Sequence, residues 1–311
     1  MKFKLGKVQI DIKRHDSRKK KQTINEDYLL KLNNDYLDYI KKISKEEIEQ
    51  RIRDISVKSL SSNKNMEYAK LLLKENGIIV VPNFLETEIV NTMYNANKSL
   101  FKEILEIEEK SDGYYEDEHI VIQSKDIRIK GYMALSSYKK TVVNIRQGQD
   151  QGMIDIFNVD KSKYYQGINI LDVVRKKKEL QQLVSGLEID IKVDNINLYH
   201  NNSITKTRGF HMDDLSNTLK AFIYLTDVDD LSNGPYCYVN GTHKPGPYRE
   251  ANLAIASKSI KSTEAPYVPM NSIVPILAQK GSLVISDQTG IHRGIPQKEN
   301  FERTVLVARY K

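Results

Sequence analysis

Residues 208–217 read RGFHMDDLSN, one histidine and two adjacent acids in a neighbourhood of Asn, Ser and Thr. If the segment is extended, the two-residue side-chain period puts His211 and Asp213 on one face and turns Met212 to the other. An imidazole nitrogen and a carboxylate oxygen can then converge on one ion. A solvated, hydrogen-bonded turn is the plain alternative, and two ligands do not make a catalytic metal site. Asp214 is the competing acid, but on an extended segment it faces away from His211. The fold therefore turns on what surrounds this stretch.

Around it the chain reads as β structure. DIKVDNINLYH (190–200) alternates apolar and polar residues, and short strand-like segments recur between turns: KAFIYLTDV (220–228), GPYCYV (234–239), SLVISD (282–287) and RTVLVARY (303–310). Many short strands punctuated by Gly, Pro and Asn indicate a sandwich or barrel rather than a doubly wound sheet. The expectation is an α+β chain with a mainly β, jelly-roll-like core over about 188–311. Upstream, MEYAKLLLKENGIIVVPNFLETEIVNTMYNANKSLFKEIL predicts a helix, Gly77 as its stop, a strand through Val81, a Pro82 turn and a second helix. Tyr28, Leu29, Leu32, Tyr36, Leu37 and Ile40 recur at helical steps. Short strands are expected near 127–135 and 141–146, and a helix near 170–186. Residues 1–65 read as a basic, largely helical N-terminal extension and 66–311 as the main domain.

Composition removes several function classes. The 311 residues contain one cysteine, Cys237, so neither a disulfide framework nor a multi-cysteine metal site is available. Any metal must be held by histidine and carboxylate. No run of about 18 apolar residues occurs, and the first residues lack the apolar segment of a secretory signal, so a cytoplasmic protein without a membrane span is expected. Of the formal net charge of +7, residues 1–60 carry +6, centred on KRHDSRKKK (13–21). A local excess of this kind is usually a solvated face or tail, and no nucleic-acid partner is expected.

Six histidines, at 15, 119, 200, 211, 243 and 292, limit the search for a third ligand. His292, in GSLVISDQTGIHRGIPQ, follows a strong apolar strand and a glycine turn, which can aim it into the mouth of a barrel. Two histidines and one carboxylate on a β scaffold form the facial triad of non-haem Fe(II) oxygenases, with three coordination positions left open. Arg303 opens the last strand and offers a guanidinium fork suited to the far carboxylate of a dicarboxylate. A satisfied loop histidine at 292 and a surface ion pair at 303 are the competing readings, and Arg293 and Arg309 compete with Arg303. His243 reads as a structural turn residue, His200 as exposed at a strand end, and His15 and His119 lie in charged segments.

The segments ENGIIVVPNFL, GFHMDD, NGPYCYVNGTHKPG, GSLVISDQTGIHRG and FERTVLVARY resemble the phytanoyl-CoA dioxygenase family of Fe(II)- and 2-oxoglutarate-dependent oxygenases, from about residue 68 to the C-terminus. The Gly-Thr-His at 241–243 matches the family's Pro-Gly-Ser-His turn, with Asn240 in place of proline and Thr242 in place of serine. The resemblance implies a double-stranded β-helix (jelly roll, cupin-like) with N-terminal and flanking helices. It implies His211, Asp213 and His292 as iron ligands and Arg303 as the holder of the 5-carboxylate of 2-oxoglutarate. Asn197 and Tyr199 then lie where the family often places cosubstrate contacts, and Gly294 stands where a hydroxyl residue often assists. The implied reaction uses Fe(II), 2-oxoglutarate and O2 to hydroxylate a small-molecule or carrier-bound substrate, releasing succinate and CO2. Halogenases of this type replace the carboxylate ligand by a small residue; Asp213 implies oxidation instead.

Two other readings stand beside this one. The first is a β-helix protein that binds a metal or ligand without turnover. The second makes residues 1–60 a basic docking arm, tested by deleting them and measuring partner binding. The primary substrate and the oligomeric state are not readable from the residues.

Overall fold

The computed structural model describes residues 2–5, 8–11, 26–108, 114–116, 119–124, 141–146, 150–165, 178–187, 193–213, 218–256 and 264–310. The expected strand at 127–135, the basic run at 13–21 and Asp214 lie outside these residues. Fourteen strands and six α-helices occur among the described residues. In chain order they are β1 (Lys2–Leu5), β2 (Val8–Asp11), α1 (Glu26–Lys42), α2 (Lys45–Asp54), α3 (Asn63–Asn76), β3 (Ile78–Val81), α4 (Thr87–Glu108), β4 (Tyr114–Glu116), β5 (His119–Ser124), β6 (Thr141–Arg146), β7 (Ile154–Phe157), α5 (Lys178–Ser185), β8 (Val193–Asn202), β9 (Leu219–Tyr224), β10 (Tyr236–Val239), α6 (Pro247–Ala256), β11 (Ile273–Pro275), β12 (Leu283–Asp287), β13 (His292–Gly294) and β14 (Glu302–Tyr310).

Local chemistry sets the boundaries of the helices. Ser44 and Ser62 cap α2 and α3, each hydroxyl accepting from a backbone N–H three residues on, at 3.2 Å. Gly77 ends α3 in the left-handed region, φ 77°, where a side chain is strained. The chain then turns directly into β3, as the sequence pattern predicts.

β1 and β2 pair as a two-stranded sheet, and the other strands form a nine-stranded sheet, order β3-β12-β9-β14-β8-β7-β6-β5-β4, and a three-stranded sheet, order β11-β10-β13. All pairings within both are antiparallel except β5 with β6. The architecture is thus α+β and mainly β. The central strands of the large sheet are buried on both faces. Ile79, Val81, Ala221, Ile223, Leu283, Ile285, Leu306 and Ala308 pack with α3 and α4 residues such as Leu72, Met93 and Leu100. Their alternates, Ile78, Val80, Phe222, Tyr224, Val284, Val305 and Val307, pack with Tyr238 and Val274 of the small sheet. This is why IIVV, FIY and TVLVA read as near-continuous apolar runs: neither face meets water. Truncating a side chain such as Leu306, fully buried in the helix-side layer, to alanine removes about 2–5 kcal/mol.

Helices α1 and α2 are built into this framework. Tyr36 and Ile40 of α1 share a core with Phe210, Met212, Cys237 and Ile291 on the outer side of the small sheet. Arg51 of α2 donates to the Ile273 carbonyl at 2.5 Å. Among the described residues no helix is long and apolar enough to cross a membrane.

Candidate metal centre

The segment carrying His211 and Asp213 continues the small sheet. His211 N–H donates to the His292 carbonyl at 3.0 Å, and His292 N–H returns the bond to the His211 carbonyl at 2.9 Å. In such a pair the two side chains leave the same face. Beyond it, Asp213 N–H donates to the Gln288 carbonyl at 3.1 Å. The alternation expected of GFHMD holds: Met212 is fully buried in the outer core, while His211 and Asp213 share the inner face. Asp213 Oδ1 lies 3.5 Å from His211 Nε2 and 3.6 Å from His292 Nε2. Among the described residues these three form a group able to hold a metal ion, one ligand atom from each lying within 4.8 Å of the others. The Asp213 side chain is 29% exposed, which leaves an approach from solvent.

The second ring nitrogens are committed. His211 Nδ1 meets the Gly209 carbonyl at 2.8 Å and His292 Nδ1 meets the Gly290 carbonyl at 2.9 Å. A carbonyl only accepts, so Nδ1 carries the proton in each ring and Nε2 presents a lone pair to the shared point. Burial, followed by the charge of Arg208, pushes the His211 imidazole down to about 4 against the pull of Asp213. For Asp213 burial acts upward, but the charge of Lys220 holds the carboxyl well below its usual range. The group therefore offers at least one neutral imidazole, at His211, and an ionised carboxylate at neutral pH, the protonation states that metal ligation requires.

Arg303 lies at the other end of the inner face. It is buried, its Nη1 donates to the Gly234 carbonyl, and its Nε has no partner. Burial lowers its pKa, yet a guanidinium stays protonated in proteins. A Cβ placed on Gly294 would sit 3.9 Å from Arg303 Nη2, so the missing side chain leaves room beside the guanidinium. Gly294 is two residues after His292 on the same strand face, about 7 Å along it.

Asn197 and Tyr199 stand on β8 opposite Val307 and Val305, on the inner face. Burial raises the Tyr199 hydroxyl, with Lys220, Asp155, Asp213 and Arg146 all close enough to act on it. Tyr236 walls the site, its ring centroid 5.6 Å from that of His292.

Several residues that shape this region carry no sequence signal. Lys220 of β9 donates to Asp213 Oδ2 at 2.5 Å. Asp155 of β7, fully buried, accepts from Arg146 at 2.8 and 2.9 Å and from Asn144 at 3.1 Å. Arg146 also pairs with Asp150 at 2.7 Å, Asp150 accepts from the Arg208 backbone at 2.9 Å, and Arg208 Nε bonds Glu264 at 2.9 Å. Glu264 pairs with His211 across a β-bridge, so this chain of charges buttresses the segment that carries His211 and Asp213. Each link is a contact between distant parts of the sequence, and a lysine inside a strand reads as solvent-facing until its partner is known.

Two further histidines separate cleanly. His243 Nε2 donates to the Lys74 carbonyl, 3.0 Å away, as part of the turn that covers the end of α3. His200 is not exposed as expected: it is buried, stacked on Phe101 with centroids 4.0 Å apart, and its Nδ1 is 2.9 Å from Thr304 Oγ1. The side chain of His119 and all of His15 lie outside the described residues.

No family model matches the sequence, and none of the curated proteins compared with it matches. Similarity appears among solved structures. EctD from S. alaskensis with bound Fe superposes with a TM-score of 0.48 at 12% identity, over 81% of this chain and 77% of that one. SnoK, described as a non-heme alpha ketoglutarate dependent carbocyclase from nogalamycin biosynthesis, gives 0.47 at 17% identity over 80% and 83%. AviO1 from Streptomyces viridochromogenes Tue57 gives 0.51 at 15% identity, over 80% of this chain and 96% of that one. At this identity the likeness to AviO1 is one of fold.

Proposed function

We propose that the protein is an Fe(II)- and 2-oxoglutarate-dependent dioxygenase on a double-stranded β-helix core, hydroxylating an unactivated C–H bond of a small-molecule or carrier-bound metabolite with release of succinate and CO2. The fold reading is supported by the way the chain passes back and forth between the two sheets. β8, β9, β12 and β14 lie in the large sheet, and the His211 segment, β10, β11 and β13 belong with the small one.

The observation that carries the functional reading is the convergence of His211, Asp213 and His292 through atoms whose other valences are already satisfied. Two imidazole nitrogens and one carboxylate oxygen suit Fe(II) and leave three positions for other ligands. Iron held there would supply the redox chemistry that couples oxidation of 2-oxoglutarate to oxidation of the substrate. The chain's own contribution is position. The backbone carbonyls of Gly209 and Gly290 hold both imidazoles in one tautomer. Arg303, about 7 Å from the His292 level along the strands, offers its fork to the distal carboxylate of a five-carbon diacid whose near end meets the metal. Asn197 and Tyr199 contribute polar groups beside that diacid, and Phe222 and Tyr236, with ring centroids 5.0 Å apart, keep bulk water from the wall of the site.

The test is an anaerobic titration with Fe(II) and 2-oxoglutarate, followed in air by a metabolite screen for substrate-stimulated succinate. Wild type is expected to bind both and to form succinate, while His211→Ala and Asp213→Ala lose iron binding and turnover. Unchanged binding and turnover in those variants would show the ligand assignment to be wrong.

A further inference from the structure

We propose that Lys220 is a positioning residue which, by taking one oxygen of Asp213, restricts that carboxylate to a single metal-facing oxygen. The inference rests on the metal-site reading above and concerns a residue outside the ligand set. Lys220 occupies the inner stripe of β9 with Phe222 and Tyr224, while Leu219, Ala221 and Ile223 face the helices. Its side chain is 16% exposed. A long cation in an apolar stripe is costly unless paired, and Asp213 Oδ2 is the partner at 2.5 Å.

The division of the carboxylate is what makes the pairing more than an ion pair. Oδ2 goes to Lys220, whereas both histidine Nε2 atoms approach Oδ1, at 3.5 and 3.6 Å. Two elements thus fix the acid independently: its backbone N–H is tied to Gln288 in the turn between β12 and β13, and its Oδ2 to β9. The rotation that would bring both oxygens onto one ion is opposed, so a metal meets one oxygen and the remaining positions stay open. Hydrogen bonds to a ligating carboxylate orient it, and their loss commonly costs 10–100-fold in metal affinity. A lysine acting only through its charge has the opposite sign, because removing a positive charge beside a cation site tightens binding.

The experiment is calorimetric titration of the full-length protein with Co(II), with the cobalt visible spectrum recorded at saturation. Lys220→Met is expected to weaken Co(II) binding 10–100-fold and to alter the spectrum as Asp213 gains freedom to present both oxygens. Lys220→Arg, which keeps a charged donor, restores affinity to within a few-fold and the wild-type spectrum. If Lys220→Met does not fold, Lys220→Ala, which likewise removes both donor and charge, carries the same comparison. Unchanged or tighter binding in the uncharged variant, with His292→Ala abolishing it, overturns the role of Lys220 and leaves the metal site standing. Binding that survives His292→Ala unchanged overturns the metal-site reading and the Lys220 inference together.

Discussion

Arg303 shows how a single side chain can be read twice. In the sequence it is a basic residue at the start of a strand, and in the structure it is a buried guanidinium whose Nε lacks a partner. An unsatisfied buried donor of this kind is expensive, and a ligand carboxylate would satisfy it. Arg303→Lys keeps the charge but loses the planar fork. We expect it to raise the dissociation constant for 2-oxoglutarate at least about tenfold, roughly 1.4 kcal/mol, with Fe(II) binding unaltered. Equal 2-oxoglutarate affinity in the two proteins would remove Arg303 from the cosubstrate site. At this scale the sequence is most legible where the chemistry is polar and locally spaced, as in His211 and Asp213, and in His292 followed by Arg303. It is silent where a residue's meaning depends on a distant partner. Lys220, Asp155 and Arg146 are ordinary charged residues until the sheets bring them together, and His200 reads as exposed because nothing nearby announces that Phe101 of a helix will cover it.

Among the elements, α1 has the clearest structural task. Tyr36 donates to the Pro266 carbonyl at 2.6 Å, and its oxygen accepts from the Val268 N–H at 3.2 Å. The clamped segment begins at Glu264, which pairs with His211, and Ala265 N–H donates to the Phe210 carbonyl at 2.8 Å. The helix thereby braces the backbone that carries His211. Tyr36→Phe leaves a buried N–H and a buried carbonyl without their partner, and should cost about 1–3 kcal/mol in urea unfolding. It should also weaken metal binding; a variant as stable as wild type would show the clamp to be incidental. The helical period of α1 and the strand runs of the core were readable, since periodicity follows directly from which faces are buried. The pairing of α1 with 264–268 was not, because it joins segments more than 220 residues apart, with the Tyr36 hydroxyl among the links.

Over the whole molecule, the two layers against the large sheet divide the labour: helices seal one face, and the small sheet with the segment bonded to it brings His211, Asp213 and His292 together on the other. His200, on β8, is covered by Phe101 of α4 and reports on this packing through pH. Burial lowers its pKa to about 4 from 6.5, against Glu302. The unfolded chain takes up the proton first as pH falls, so the stability due to neutral His200 is complete above 6.5, declines between 6.5 and 4, and is lost below. The size is about 3 kcal/mol. Urea unfolding at pH 7.5 and 4.5 should show His200→Gln losing less stability than wild type across that interval; parallel losses would mean that the histidine is not the acid-sensitive group. The mutual backbone bonds of His211 and His292 also place a local twofold axis between the two histidine segments. Both read Gly-x-His, Gly209 to His211 and Gly290 to His292, and each imidazole is pinned by the carbonyl of its own glycine. The axis carries Asp213 onto Gly294, so the motif is repeated with its acid deleted in one copy, and beside that deletion lies the guanidinium of Arg303. One half of a near-symmetric pair thus presents negative charge and the other half positive, which is the polarity that a cation bridged to a dianion would need.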